Sequence, residues 1–293
     1  MKKLILFAIF ATVLASCQPK EILFTTGTGE VGYICGEPFE GDSLTIFYHI
    51  PEGDIATMPV QIVMHGMNRN GDGYRDAWIE KADEYGFAVI VPTFTEDKFP
   101  ELVYQQGNVK NEDGSLNPKE KFIYVMVDRV FDYFIDHSES KAKTYNIYGH
   151  SAGGQFVHRF LLFNDTPKVN VAVAANPGWY TFPTDTIDYP YGIGDAESTY
   201  GLDIPAFYAK EMTILLGDAD TLRTSNLRQT PEADAQGMYR LARGENFYAF
   251  CKADAERRGV AFNWKKAYVQ GSNHSNKKMA PLAADIIYGG EQN

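Results

Sequence analysis

The chain is 293 residues long, 44% hydrophobic and 22% charged, an ordinary globular composition with length for one large domain or two small ones. Lys and Arg number 27 against 38 Asp and Glu, a net charge of −11, so no broad basic surface is available to neutralise a phosphate backbone and nucleic acid is not expected as a partner. Three cysteines make neither a disulfide framework nor a four-cysteine zinc site.

Residues 1–16 read as an address. Lys2 and Lys3 precede the apolar run Leu4 to Leu14, too short to span a bilayer as a mature helix, and a small-residue cleavage site follows. Leu14-Ala15-Ser16-Cys17 resembles the bacterial lipobox, which implies acylation of Cys17 after cleavage and a cell-envelope lipoprotein, outer-membrane anchored and facing either the periplasm or the exterior. Residues 17–43 then hold the lipid tether and N-terminal edge strands, and 44–293 the main domain. Membrane attachment is expected through this lipid alone. Cys35 and Cys251 are either a disulfide of an oxidising compartment or two separate buried thiols, and the second is the expectation.

Strand-like runs follow at Leu44 to Ile50, Val60 to Met64, Phe87 to Pro92, Thr144 to Tyr148, Val169 to Ala174, Met212 to Leu216 and Phe262 to Val269. Helical patterns lie at Tyr74 to Tyr85, Lys119 to Ile135, Gly153 to Phe163, Ala233 to Arg258 and Lys277 to Ile287. Strand and helix alternate, which predicts an α/β fold with a mostly parallel sheet covered by helices on both faces. Strands before Val60 lack intervening helices and are expected as an antiparallel edge. Residues 177–211 are too long for a routine connection and carry many aromatic residues. They read as a lid or substrate-binding insertion, with Trp179 and Tyr180 as substrate contacts, or equally as a hydrophobic cluster under a long loop.

The chemistry sits at Gly149-His150-Ser151-Ala152-Gly153, a G-x-S-x-G motif between a predicted strand and a predicted helix. A tight strand-to-helix turn needs small neighbours, and Ser151 at the helix start faces free N–H groups that favour developing negative charge. A serine hydroxyl needs a base. Of six histidines, only His274 follows the last core strands, as the order serine, acid, histidine requires. Asp220, in the Gly217 to Asp220 turn after a strand, is the expected acid, with Asp218 as the alternative and a turn brace by default. Ala152 and Met67 supply the expected oxyanion N–H donors, one after the nucleophile and one after the strand ending at Met64. His150 and His158 read as packing residues.

On these motifs the chain resembles the α/β-hydrolases. A single glycine after His65, followed by a bulky residue, is similar to the oxyanion loop of polyhydroxybutyrate-depolymerase-like and feruloyl-esterase-like serine esterases and departs from the triple-glycine loop of the hormone-sensitive-lipase group. The resemblance implies a carboxylic ester hydrolase working through an acyl-enzyme, without cofactor or metal, on small or polymeric esters such as acylated or feruloylated glycans or polyesters. The alternatives are a serine peptidase or acyltransferase, and a non-catalytic glycan-binding protein on the same fold. Arg223, Arg228, Arg240, Arg243, Arg257 and Arg258 follow Asp220; they read as a solvated helical face balanced by Glu232, Asp234 and Glu245, with recognition of an acidic substrate as the alternative. Oligomeric state is not legible.

Overall fold

Short apolar runs build the centre of the molecule because strands covered on both faces need apolar residues at every position. In the computed structural model, which describes residues 20–164 and 168–290, they form one eight-stranded sheet. Its strands are β1 (Gly27–Ile34), β2 (Ser43–Ile50), β3 (Val60–Met64), β4 (Ala88–Thr93), β5 (Tyr145–His150), β6 (Val169–Ala175), β7 (Met212–Gly217) and β8 (Lys265–Val269). The spatial order is β1-β2-β4-β3-β5-β6-β7-β8, antiparallel at the β1-β2-β4 edge and parallel from β4 onward. The sheet therefore starts at Gly27, ahead of Leu44. The signal segment and Cys17 lie outside the described residues.

Ten helices among the described residues complete the fold: α1 (Gly71–Asp76), α2 (Ile79–Tyr85), α3 (Glu101–Tyr104), α4 (Val125–Asp136), α5 (Ala152–Phe163), α6 (Gly194–Tyr200), α7 (Ile204–Ala209), α8 (Pro231–Ala235), α9 (Arg240–Arg258) and α10 (Asn276–Tyr288). Successive strand residues point to opposite faces, so Ile62, Ile147, Ala172 and Ile214 enter one core with α4, α5, α7 and α9. Their neighbours Val63, Tyr148, Val173 and Leu215 enter a second core with α1, α2 and α10. Every residue of α5 is buried, which makes it the axle of the larger layer.

Three expected helices are interrupted. Between α1 and α2 the chain turns at Trp78, whose fully buried indole meets Tyr148 edge-on at 4.9 Å. The run from Lys119 opens as a 3-10 turn and passes through extended Phe122 before α4. Gly237, at φ 144°, and extended Tyr239 divide α8 from α9. Packing and turn geometry override helix periodicity at each place. The strand expected from Phe262 begins only at Lys265.

Residues 177–211 hold α6 and α7, and their rings pack inward. Tyr180 stacks on Phe247 at 4.3 Å, and Phe207 meets Trp264 edge-on at 4.8 Å. Cys35 and Cys251 are separate buried thiols.

Candidate active site

The sharp turn between β5 and α5 fixes Ser151. Its φ of 60° and ψ of −115° are strained for a residue with a side chain, and the N–H of Ser151 donates to the Ala175 carbonyl at 2.9 Å. The turn admits no added bulk. A Cβ on Gly149 would stand 2.1 Å from the Gly153 carbonyl oxygen, and one on Gly153 would stand 2.1 Å from that of Met64. Both contacts are with backbone, so only glycine lets α5 approach β3 and β5 this closely.

His274 Nε2 lies 2.8 Å from Ser151 Oγ, and His274 Nδ1 lies 2.7 Å from Asp220 Oδ2. Asp220 is buried while the imidazole stays partly open to solvent. The structure thus brings Ser151, His274 and Asp220 into one chain of hydrogen bonds. Asp218 does something else: its Oδ1 accepts the Gly271 N–H at 2.7 Å, tying the acid loop to the histidine loop. The Ala219 N–H donates to Ser272 O at 3.0 Å, and Asn176 joins the lacing by accepting the Gly217 N–H at 2.8 Å.

Ala152 is the first residue of α5, where an N–H has no acceptor inside the helix. Met67 lines the same cavity as Ser151, and among the described residues no backbone acceptor takes its N–H. His65 orients that group. The Phe94 N–H donates to His65 Nε2 at 2.9 Å, so the proton sits on Nδ1, which donates to the Gly66 carbonyl at 2.9 Å. In a trans peptide the Met67 N–H then points away from that carbonyl. Burial pushes the His65 imidazole down to about 3, which keeps this neutral form in place.

Two cavities meet at Ser151. One, of about 310 Å³, is lined by Met67, Asn68, Asn70, His150, Arg240 and Asn276 among others. The other, of about 230 Å³, is lined by Glu101, Gln105, Gln155, Trp179, Arg228 and Arg240 among others. Amide and guanidinium groups line both, and the second adds the Glu101 carboxylate. Trp179 therefore reaches the second cavity, whereas Tyr180 lies in the core and lines neither. The wall facing Ser151 comes instead from the loop after Asp220, through Asn226 in both cavities and Arg228 in one. The loop contacts have no local sequence signal.

The histidine beside the nucleophile packs as expected, whereas the arginines depart from the sequence expectation. His150 packs, but beside His274 with ring centroids 4.7 Å apart, and its Nδ1 lies 2.9 Å from the Tyr74 hydroxyl. Burial first, then His274 and Arg240, hold its imidazole well below the ordinary histidine range. The arginines do not form one solvated face. Arg243 is fully buried and donates to the Gly178 carbonyl, Arg257 and Arg258 pair with Asp254, and Arg240 turns into the site. Among the described residues no cluster of His, Cys, Asp and Glu could hold a metal ion.

Known structures repeat this architecture. Poly(aspartic acid) hydrolase-1 from Sphingomonas sp. KT-1 is 40% identical, with a TM-score of 0.83 over 90% of this chain and 100% of that one. The chain belongs to the α/β-hydrolases. A poly(3-hydroxybutyrate) depolymerase from Bordetella parapertussis is 32% identical, with a TM-score of 0.85 over 92% of both chains. An S-formylglutathione hydrolase from Agrobacterium tumefaciens, 14% identical at a TM-score of 0.58 over 91% of this chain and 97% of that one, shares the fold alone. No protein-family model and no curated protein matches the chain.

Proposed function

We propose that the protein is a serine hydrolase that cleaves carboxylic esters through an acyl-enzyme. The observation that carries this is the unbroken relay from Ser151 Oγ through His274 to buried Asp220, with both hydrogen bonds under 3 Å. Ser151 attacks the acyl carbonyl carbon while His274 Nε2 takes the hydroxyl proton. Asp220 holds the Nδ1 proton in place and stabilises the imidazolium. The Met67 and Ala152 N–H groups receive the charge that develops on the carbonyl oxygen. His274 returns its proton to the departing alkoxide, and water releases the acyl group by the same steps in reverse. The residues supply nucleophile, base and electrostatics, and the scheme draws on no cofactor.

The polar lining of both cavities favours a polar ester over a long alkyl one. A second reading, amide cleavage, is favoured by the 40% identity to a protein named for poly(aspartic acid) hydrolysis. The test is turnover of short p-nitrophenyl esters, 3-hydroxybutyrate oligomers and aspartate oligomers beside Ser151→Ala and His274→Ala. Ester turnover lost in both folded variants supports the reading. Turnover of aspartate oligomers alone moves the assignment to an amide hydrolase, and turnover that survives Ser151→Ala removes the serine mechanism. Acylation at Cys17 is proposed alongside it on the lipobox resemblance; labelled palmitate incorporated by the full chain and lost in Cys17→Ala tests it.

A further inference from the structure

In a protein of net charge −11, the cavity beside Ser151 is walled by cations. Arg240 is almost wholly buried and borders both cavities. Its Nη1 forms a long ion pair with Asp220 Oδ1 at 3.6 Å, sharing that carboxylate with His274. Its Nη2 donates to the Asn226 carbonyl at 3.3 Å, and its Nε is buried with no acceptor. Arg228 reaches the second cavity from the loop after Asp220, lying 4.9 Å from the centre of the Trp179 ring and 3.3 Å from Glu101.

Behind that wall sits Arg159, fully buried and 4.0 Å from the centre of the same indole. It donates to neutral acceptors, the Gln105 carbonyl at 2.7 Å and Thr181 Oγ1 at 2.8 Å, and its Nη2 is buried without a partner. Three guanidiniums thus gather round two carboxylates, Glu101 and Asp220. A buried cation without its full set of acceptors is costly, and such sites persist where an anion completes them. The planar fork of a guanidinium suits a carboxylate in particular, and the low-dielectric surroundings strengthen the attraction.

We propose that the cavity lined by Arg228, Arg240 and Trp179 is a subsite for a carboxylate of the substrate, so that the enzyme selects acyl compounds bearing a free carboxylate several bonds from the scissile carbonyl. The proposal rests on the reading that Ser151 attacks that carbonyl. Binding of the substrate carboxylate against the Arg228 and Arg240 guanidiniums adds a counter-charge to the cavity and aligns the carbonyl over Ser151. The selectivity belongs to two side chains from one stretch of chain, the loop and helix start that follow the triad acid.

The experiment measures binding and turnover separately. Methyl monoesters of glutaric, adipic and suberic acids are compared with methyl pentanoate, hexanoate and octanoate. Calorimetry on Ser151→Ala reads affinity without chemistry, and wild-type kinetics read kcat/KM. At least one monoester is expected to bind about tenfold or more tightly than its neutral counterpart, with the preference shrinking as salt is raised. Arg228→Gln, partly exposed and away from the triad, and Arg240→Gln, each combined with Ser151→Ala, are expected to erase that ratio. Arg240→Lys retains part of it, because charge survives and the fork does not. Equal affinity for charged and neutral esters in Ser151→Ala overturns the subsite, as does a preference that survives both Arg228→Gln and Arg240→Gln in folded protein. A carboxylate preference in binding without turnover of any ester by the wild type sinks the esterase reading and leaves the subsite standing.

Discussion

Backbone presses on backbone around Ser151, whereas ring presses on ring in residues 177–211. At the elbow the closest neighbours of Gly149 and Gly153 are carbonyl oxygens that cannot rotate away. In the aromatic segment, Tyr180 rests on Phe247 and His158, whose side chains can repack by small amounts. The first kind of tightness is all-or-none and holds Ser151 in place. The second is graded, and it supplies stability and a cavity wall without positioning any atom of the relay.

The sharpest way to break the comparison is to remove chemistry without touching packing. Ser151→Ala and His274→Ala are expected to cut kcat by about 10⁵-fold or more while leaving the thermal unfolding midpoint nearly unchanged. Asp220→Asn should cost about 10⁴-fold in kcat, because the amide favours the wrong imidazole tautomer, and Asp218→Asn less than about tenfold. Equal losses from the two aspartate variants would contradict the division between relay and turn brace.

Stability measurements sharpen the contrast further. Gly153→Ala forces a methyl against the Met64 carbonyl and is expected to cost about 3 kcal/mol or more, with loss of activity. Tyr180→Ala, which empties a fully buried ring position, should cost about 3–5 kcal/mol in urea unfolding and largely spare activity in the folded fraction. Tyr180→Phe should be neutral or slightly stabilising, since the buried hydroxyl has no partner.

Acid provides a further test. Burial holds His65 down to about 3 and lowers His150 and His158 well below the ordinary range, so all three are neutral when folded and take up protons once unfolded. The unfolded chain binds more protons between the two values. Their contribution is fully present above about pH 6.5 and is lost as pH falls, for His65 toward about 3, at roughly 1.4 kcal/mol per pH unit for each imidazole. Urea unfolding between pH 7 and 5 should show this slope, and replacing His158 by Gln should reduce it by about a third.

Much of this could be read along the chain. The apolar runs of β3, β4, β5 and β7 mark strands because both faces of each are covered, and the elbow shows itself because its glycines and serine are neighbours in sequence. The strand β1 was expected only as an edge strand somewhere in residues 17–43, without bounds, since its glycine-rich Gly27–Ile34 run alternates between half-buried and exposed positions. Interrupted helices escaped because Trp78 and Tyr239 obey tertiary packing rather than period. The cavity wall was hidden for a similar reason: Asn226, Arg228 and Arg240 acquire their neighbours only when the loop after β7 folds over Ser151. Arg240 drew attention as one charge among six, but nothing in its local sequence distinguishes an inward guanidinium from a solvated one.

The relay closes two large loops, 123 residues between Ser151 and His274 and 54 between Asp220 and His274. Closing loops of this size taxes refolding, and non-local contacts form late. Catalysis is therefore a stringent clock for renaturation. Tryptophan fluorescence follows collapse of the layers, but hydrolysis returns only when the chain segments carrying β5, β7 and α10 have all docked in register.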